Sequence, residues 1–505
     1  MEVESVGHRA RSWVVRIATL SALVVGAQAL AAPVAQGREA VVRSFDGTPL
    51  GVSFYPATGL APGQRAPTIL RTHGLGGSRD RASAQPAQGP IDGYLREGYN
   101  VLTWDSRGFG ESGGTAMLND PAFEGRDVRA LLDFAAAQPE ALLDAPGDPR
   151  TGMVGASYAG DIQLVAAALD RRIDAIVPAH TWNSLLGALY RDGALKSGWY
   201  DQLVARAAAT GGLLGLLSPA GLQLGGVDWR FADFWLQATL GTGVSPRNRA
   251  FLAARDRASL LAAIRAPTLL IGGTPDALFS PSQAIANYAG LRAAGVPLKM
   301  LWECGGHATC ATGNDPARVA AAELAWLARY VKRQPSVDTG PGFEWVADDG
   351  VWRSAPAWPP PPNTTPAGSL TATGSGGLTI VPGTGLGLPP TVRVPLPAPP
   401  APADVAGEPQ LRMTYSGTAV TGNSTWVYAQ IVDVPRNLVV GSQVTPIPVT
   451  LDGQTRTVTR PLEGIAAHLV PGSKLELQIV SGTGIYTPQR ALGQIAMSAI
   501  ELRLP

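Results

Sequence analysis

The stretch Gly152-Met153-Val154-Gly155-Ala156-Ser157-Tyr158-Ala159-Gly160-Asp161 decides the fold. It passes from a short apolar strand, Gly152 to Gly155, into a helix, Asp161 to Leu169, with a serine at the turn. A serine there must turn sharply, so small neighbours at Gly155 and Ala159 are sterically required. The turn lifts the hydroxyl out of a sheet and sets it at a helix N-terminus. Position 159 is Ala, where such turns usually carry Gly. Taken alone, the string also reads as an ordinary turn.

Outward from this turn, compact apolar runs alternate with helical patterns. Ala40 to Ser44, Leu50 to Tyr55, Pro67 to Leu70 and Tyr99 to Trp104 precede it as strands; Ile173 to Pro178, Thr268 to Gly272 and Leu298 to Trp302 follow. Phe123 to Ala137 reads as a helix, with Val128, Leu131, Leu132 and Ala135 at helical spacing, and Ala317 to Tyr330 as another. Such alternation implies parallel pairing and an open, doubly wound α/β sheet. Between Trp182 and Arg265 the strand signal disappears, and Trp199, Tyr200, Trp229, Phe231, Phe234 and Trp235 lie in an Ala/Leu/Gly-rich stretch. That stretch is expected to be a helical lid over a cleft or, alternatively, an extra helical layer whose aromatics are core.

After Arg333 proline takes over, at Pro359 to Pro362 and again through Leu396 to Pro402, which excludes central strands and helices there. Past Ala406 the pattern has period two: Leu411, Met413, Tyr415; Val427, Ala429, Ile431; Leu475, Leu477, Ile479. The expected organisation is an α/β body over residues 38–335 containing a lid at 183–265, a Pro-rich linker and extended segment at 336–404, and an all-β sandwich or jelly roll at 405–505.

The amino terminus carries an address. Three arginines lie within His8 to Arg16, Ile17 to Leu30 is free of charge, and Ala29-Leu30-Ala31 supplies a small-x-small cleavage step. Residues 1–31 read as a secretory signal, so a secreted, periplasmic or cell-envelope location is expected. An uncleaved anchor is the competing reading, since the apolar run continues through Val34. With the signal removed, no stable membrane insertion is expected. Forty basic against 39 acidic side chains leave a net charge of +1, too little for a nucleic-acid partner. Two cysteines exclude a disulfide-rich scaffold and a four-cysteine metal site.

Chemistry enters through chain order. Ser157 is followed by Asp276, just past the strand ending in Gly272-Gly273, and then by His307 in Cys304-Gly305-Gly306-His307. Ser, Asp, His, each on a loop after a strand, is the order of an α/β-hydrolase sheet. A serine is a poor nucleophile at neutral pH; an imidazole must take its proton, and a carboxylate must hold that imidazole's tautomer. Asp105 competes with Asp276 but follows an earlier strand, where it more naturally stabilises its own Gly-rich turn. Arg71-Thr72-His73-Gly74-Leu75-Gly76-Gly77 ends an earlier strand, and its glycines let backbone N–H groups face developing negative charge; Leu75 and Tyr158 N–H are the expected oxyanion donors. His73, Trp182 and Trp199 are candidate pocket residues. Cys304 and Cys310 bracket His307 and, in an exported chain, are expected to pair and clamp its loop; two free thiols are the alternative.

Gly155-x-Ser157-Tyr158-x-Gly160 resembles the nucleophile signature of the X-Pro dipeptidyl-peptidase and cocaine esterase family of serine hydrolases. Asp105-Ser106-Arg107-Gly108-Phe109-Gly110-Glu111-Ser112, Gly125-Arg126-Asp127-Val128, and Val177-Pro178 with Thr181-Trp182-Asn183 carry the same resemblance. So do Val405-Ala406-Gly407 and His468-Leu469-Val470-Pro471-Gly472 near the carboxyl end, which resembles that family's jelly-roll domain. Many members carry Arg-Thr-Pro-Tyr where this chain has Arg71-Thr72-His73-Gly74, and that tyrosine helps hold the oxyanion. Gly74 in its place implies a hole built from backbone donors, as in lipases and esterases.

The expectation is therefore a secreted serine hydrolase that cleaves esters, or amides, of a small-molecule, peptide or polymer substrate through an acyl-enzyme, with no metal or organic cofactor. An X-Pro dipeptidyl-peptidase-type exopeptidase is the alternative. A non-catalytic polymer- or carbohydrate-binding protein on a hydrolase scaffold is the rival from another class.

Overall fold

The computed structural model describes residues 37–81, 91–211, 226–361, 370–383 and 391–505. The expected signal, residues 1–31, lies outside them. The α/β body is one ten-stranded sheet built from β1 (Arg38–Arg43), β2 (Pro49–Tyr55), β3 (Thr68–Arg71), β4 (Asn100–Trp104), β5 (Thr151–Ala156), β6 (Ile173–Ala179), β7 (Thr268–Gly273), β8 (Leu298–Glu303), β9 (Phe343–Val346) and β10 (Trp352–Ala355). Their spatial order is β1-β2-β4-β3-β5-β6-β7-β8-β9-β10. From β4 to β9 every neighbouring pair is parallel; β1, β2 and β10 close the two ends antiparallel.

Neighbouring residues of each central strand feed opposite cores, as the period of two demands. Leu70, Leu102, Met153, Ile176, Leu270 and Met300 face one side, packed against the helices Glu124–Ala136 and Tyr158–Leu169. Ile69, Val101, Val154, Val177, Leu269 and Leu301 face the other, against Trp326 and Leu327 of the helix Pro316–Tyr330. Burial on both faces is what makes these strands nearly continuous apolar runs.

The lid region is helical: Leu185–Leu189, Ser197–Gly211, Trp229–Leu240, Pro246–Ala253 and Ala258–Leu261, with a two-residue hairpin pairing Tyr190–Arg191 to Ala194–Leu195. Ser184, Asp228 and Ser245 cap three of these helices through their side-chain oxygens. Tyr200, Phe231 and Phe234 are buried, with Tyr200 stacked on both phenylalanines, and belong to the core of this layer; Trp199 and Trp235 stay half-buried.

Residues 336–404, read from the sequence as a Pro-rich linker and extended segment, carry strands. β9 and β10 extend the large sheet past residue 335, and β11 (Thr371–Ile380) and β12 (Thr391–Pro395) open the C-terminal sandwich. β13 (Ala403–Gly407), β14 (Gln410–Thr421), β15 (Ser424–Asp433), β16 (Leu438–Thr450), β17 (Arg456–Pro461), β18 (Ile465–Leu469), β19 (Leu475–Val480) and β20 (Leu492–Arg503) complete it. Two antiparallel sheets, β11-β20-β14-β17 and β12-β19-β15-β16, share one apolar core that includes Met413, Val427, Leu477 and Ile500. β13 pairs with β18 beside them.

One charged pair ties the sheet's helices to the lid. Arg257 donates to both oxygens of Asp161, at 2.6 Å each, with both side chains fully buried. Removing one partner of such a pair strands a buried charge. Arg257→Met is expected to lower the unfolding free energy by about 3–5 kcal/mol in urea titrations, and adding Asp161→Leu to recover most of it.

Candidate active site

Ser157 sits between the end of β5 and the helix Tyr158–Leu169 at φ 61, ψ −121, a region L-residues avoid. The chain around it explains how it is held. Gly155 has φ 143, and a Cβ there would lie 2.7 Å from the Ala159 methyl. A Cβ on Gly160 would lie 2.5 Å from the Ala179 carbonyl, so the helix can approach β6 only with glycine at that position. Ser157 N–H donates to that same carbonyl at 2.9 Å. Buried Gln163 donates to the Gly155 and Ala159 carbonyls and accepts from Val177 N–H, stitching the helix to β5 and β6. The Tyr158 N–H is the first of its helix, one of those without an intrahelical acceptor. Below it, Asn119 Nδ2 donates to the Tyr158 carbonyl (2.8 Å), and the Tyr158 hydroxyl donates to Glu124 (3.3 Å).

Asp276 lies on the loop after β7 and is fully buried. Its Oδ1 accepts the Leu278 and Phe279 N–H groups at 3.0 Å each; its Oδ2 takes His307 Nδ1 at 2.7 Å and His307 N–H at 3.2 Å. Burial pushes this carboxyl up, but the His307 hydrogen bond and charge, the His180 charge and the Phe279 N–H outweigh it and hold it below its ordinary value. The two loops interlock through glycines: a Cβ on Gly306 would lie 2.6 Å from Asp276 Oδ2, and one on Gly273 would strike the Gly305 carbonyl. With Nδ1 committed to Asp276, His307 offers Nε2 for chemistry. Its ring meets Phe279 and Trp199 edge-on, at 5.3 and 6.1 Å between centroids. Cys304 and Cys310 form a disulfide that closes the loop carrying His307, with 5.2 Å between their Cα atoms.

Because β3 lies between β4 and β5, the loop after β3 stands beside Ser157. His73 is built into that loop. Its Nδ1 donates to the Gly74 carbonyl (2.8 Å), and its Nε2 accepts from Ser106 N–H (3.1 Å), which fixes the neutral tautomer; burial lowers its pKa accordingly. Both nitrogens of this candidate pocket residue serve backbone. Trp182 is buried, donates to the Arg255 carbonyl at 3.1 Å, and packs against Phe279. Trp199 does reach His307. Leu75 packs against the lid's apolar cluster. Asp105 is spent on its own turn, paired with Arg79 and accepting Glu111 N–H.

His180 was not singled out from the sequence as a site residue. It ends β6 at φ 45, with Nε2 2.8 Å from Glu303 Oε1 but not aligned for a hydrogen bond, and its charge acts on Asp276. Glu124, Asn119 and Gln163 were missed as well; of these only Gln163, a buried amide in the helix that follows the serine motif, carried a local signal.

The model of the X-Pro dipeptidyl-peptidase (S15) family matches residues 46–309. An uncharacterized 31.7 kDa protein of Escherichia coli, from the traX-finO intergenic region, is 31% identical over 111 residues, 22% of this chain and 36% of that protein. The chain thus spans about a third of the length of the curated relatives it matches. Among solved structures, an α-amino acid ester hydrolase is 14% identical, with 97% of this chain and 100% of that one covered at a TM-score of 0.72. An aminopeptidase from a Thaumarchaeota archaeon of marine sediment is 15% identical over 93% and 96%, at 0.68. A CocE/NonD family hydrolase from Staphylococcus aureus is 14% identical over 93% and 96%, at 0.57. These likenesses show an α/β-hydrolase fold with an all-β C-terminal region.

Two outcomes follow from the geometry under the serine. Gly160→Ala is expected to cost about 1–3 kcal/mol or more in calorimetry, because the helix must move off β6. For Glu124, burial and then the Asp127 charge push the carboxyl from 4.5 to about 7. Its folded pKa exceeds its unfolded one, so its ionisation opposes folding. That cost grows as pH rises from 4.5 to about 7 and is constant above. Between these values the wild type should lose stability with pH more steeply than Glu124→Gln, by up to about 1.4 kcal/mol per pH unit. Equal slopes would rule the shift out.

Proposed function

The chain belongs to the X-Pro dipeptidyl-peptidase (S15) family, and from that premise we propose that it is a serine hydrolase favouring carboxylic esters. The observation that carries this reading is the pairing of a strained, glycine-framed Ser157 at the end of β5 with an Asp276–His307 contact of 2.7 Å at the ends of β7 and β8. Ser157 Oγ attacks the carbonyl carbon while His307 Nε2 takes its proton. Asp276 fixes the tautomer with the proton on Nδ1 and stabilises the imidazolium that forms. The Leu75 and Tyr158 N–H groups receive the oxyanion. The imidazolium returns the proton to the leaving alcohol, and water, activated by the same imidazole, hydrolyses the acyl-enzyme.

Ester over peptide rests on what surrounds His307. The rings meeting it are Trp199 and Phe279. A dipeptidase needs a carboxylate for the substrate's free amine, and the lid's Asp192, Asp201, Asp228, Asp233 and Asp256 are engaged with Arg460, Trp235, Arg230, Asn248 and Ser184. Gly74, where many relatives carry tyrosine, leaves the oxyanion to backbone donors. The X-Pro exopeptidase reading is kept as the second, on the family's own description.

Export is part of the proposal. The Cys304–Cys310 disulfide suits an oxidising compartment, and among the described residues no helix is long and apolar enough to cross a membrane. We read the C-terminal sandwich as a jelly roll because, skipping β13 and β18, its eight strands run 1-8-3-6 over 2-7-4-5, the path of two interleaved Greek keys.

The test is hydrolysis of p-nitrophenyl acyl esters of graded length beside an Xaa-Pro-p-nitroanilide. Ester turnover is expected, falling by about 10⁴–10⁶-fold in Ser157→Ala. Asp276→Asn should lose about 10⁴-fold in kcat with KM little changed. Retained activity in Ser157→Ala would sink the assignment; preferred anilide cleavage would move it to the exopeptidase.

A further inference from the structure

The segment 274–282, which carries Asp276, is held largely by side chains from outside the large sheet. Its N–H groups at Leu278 and Phe279 turn inward onto the Asp276 carboxylate. Its carbonyls therefore turn outward, and buried carbonyls need donors. Gln443, buried on β16 of the sandwich, supplies one: its Nε2 lies 3.0 Å from the Asp276 carbonyl and 3.4 Å from that of Thr274. Two residues earlier, Gly441 comes so near that a Cβ would sit 2.8 Å from the Thr274 carbonyl. Lys196, buried in the lid, points its ammonium at the Ala277 carbonyl (2.8 Å) and the Leu278 carbonyl (3.4 Å).

A buried lysine that meets only carbonyls needs a counter-charge nearby. Glu463, between β17 and β18, provides it. It pairs with Arg191 at 2.6 Å and accepts the Ser280 hydroxyl at 2.5 Å. Burial pushes its carboxyl up, and the charges of Arg191 and Lys196 bring it below its ordinary value, so it remains ionised. Gly464 N–H donates to the Ser282 hydroxyl at 2.9 Å. Sandwich and lid thus grip the same nine residues from two sides.

We infer that Gln443, Lys196 and Glu463 are positioning residues that aim Asp276 at His307, making the C-terminal sandwich and the lid parts of the catalytic apparatus. The inference rests on the proposed role of Asp276. The charged groups facing Asp276 are His307, His180 and Lys196. A loosened loop lowers the alignment of the carboxylate with the imidazole, which shows in the rate of the chemical step rather than in substrate binding.

The experiment uses the full chain and a short p-nitrophenyl ester. Gln443→Leu keeps the volume and removes the donor. It is expected to lower kcat by about 10- to 100-fold with KM within about twofold, since a misplacement of about 1 Å costs about 10²-fold. Ser280→Ala, a milder change that frees one oxygen of Glu463, should do the same to a smaller degree and serves if Gln443→Leu does not fold. For Lys196, an arginine replacement should restore more activity than methionine. A lowered melting temperature with kcat unchanged would make these contacts merely structural and overturn the inference. Asp276→Asn run alongside separates the two readings: if it stays active, the proposed function fails, and if it is inactive beside an unaffected Gln443→Leu, only this inference does.

Discussion

A serine at φ 61 persists only where its surroundings allow no alternative, and much of the α/β body can be understood as meeting that demand. The strain costs on the order of 1–3 kcal/mol, to be recovered from contacts made once the turn exists. Those contacts are specific. Gln163 spends both ends of its amide on β5 and β6, the Ala179 carbonyl takes the serine's own N–H, and Asn119 grips the next carbonyl from beneath. Asn119 itself has φ 55 and its neighbour Leu118 φ 58, so the support is strained in turn. Arg257 anchors that layer by holding Asp161 while donating to the Asn119 carbonyl at 3.1 Å.

The acid side of the site is solved differently. Asp276 sits on ordinary backbone, and what must be controlled is its charge in a dry place. Two N–H groups of its own loop and the His307 imidazole keep it ionised. Glycine is required here for clearance: Gly273 and Gly306 let the β7 and β8 loops cross at a separation that side chains would forbid. The disulfide then limits how far the crossing loop can open.

Much of this was legible in the sequence, because the decisive features are local. The serine motif, the order Ser157, Asp276, His307, and the apolar runs of a sheet buried on both faces each follow from residue type and spacing. The strands of residues 336–404 were not legible, for two reasons. Phe343–Val346 and Trp352–Ala355 are four residues each, too short for a period to declare itself among prolines. Thr371–Ile380 is a strand interrupted by glycines that hide its period; at Gly374 and Gly376 a Cβ would lie 2.8 Å from Val394 and Val392, so the glycines admit the facing sheet. Sequence gives residue type without direction: the His73 imidazole beside its glycines looks available until Gly74 and Ser106 are seen to occupy it.

The bond from Gln443 to the Asp276 carbonyl joins residues 167 apart, and that from Ser280 to Glu463 joins residues 183 apart. Synthesis runs from the amino end, so the large sheet and its serine turn leave the ribosome well before the strands that grip the acid loop. An incomplete chain can form the first without the second. Full support of the acid loop therefore waits on the last third of translation, and a nascent or prematurely terminated product would display the serine with its acid loop held from the lid side alone.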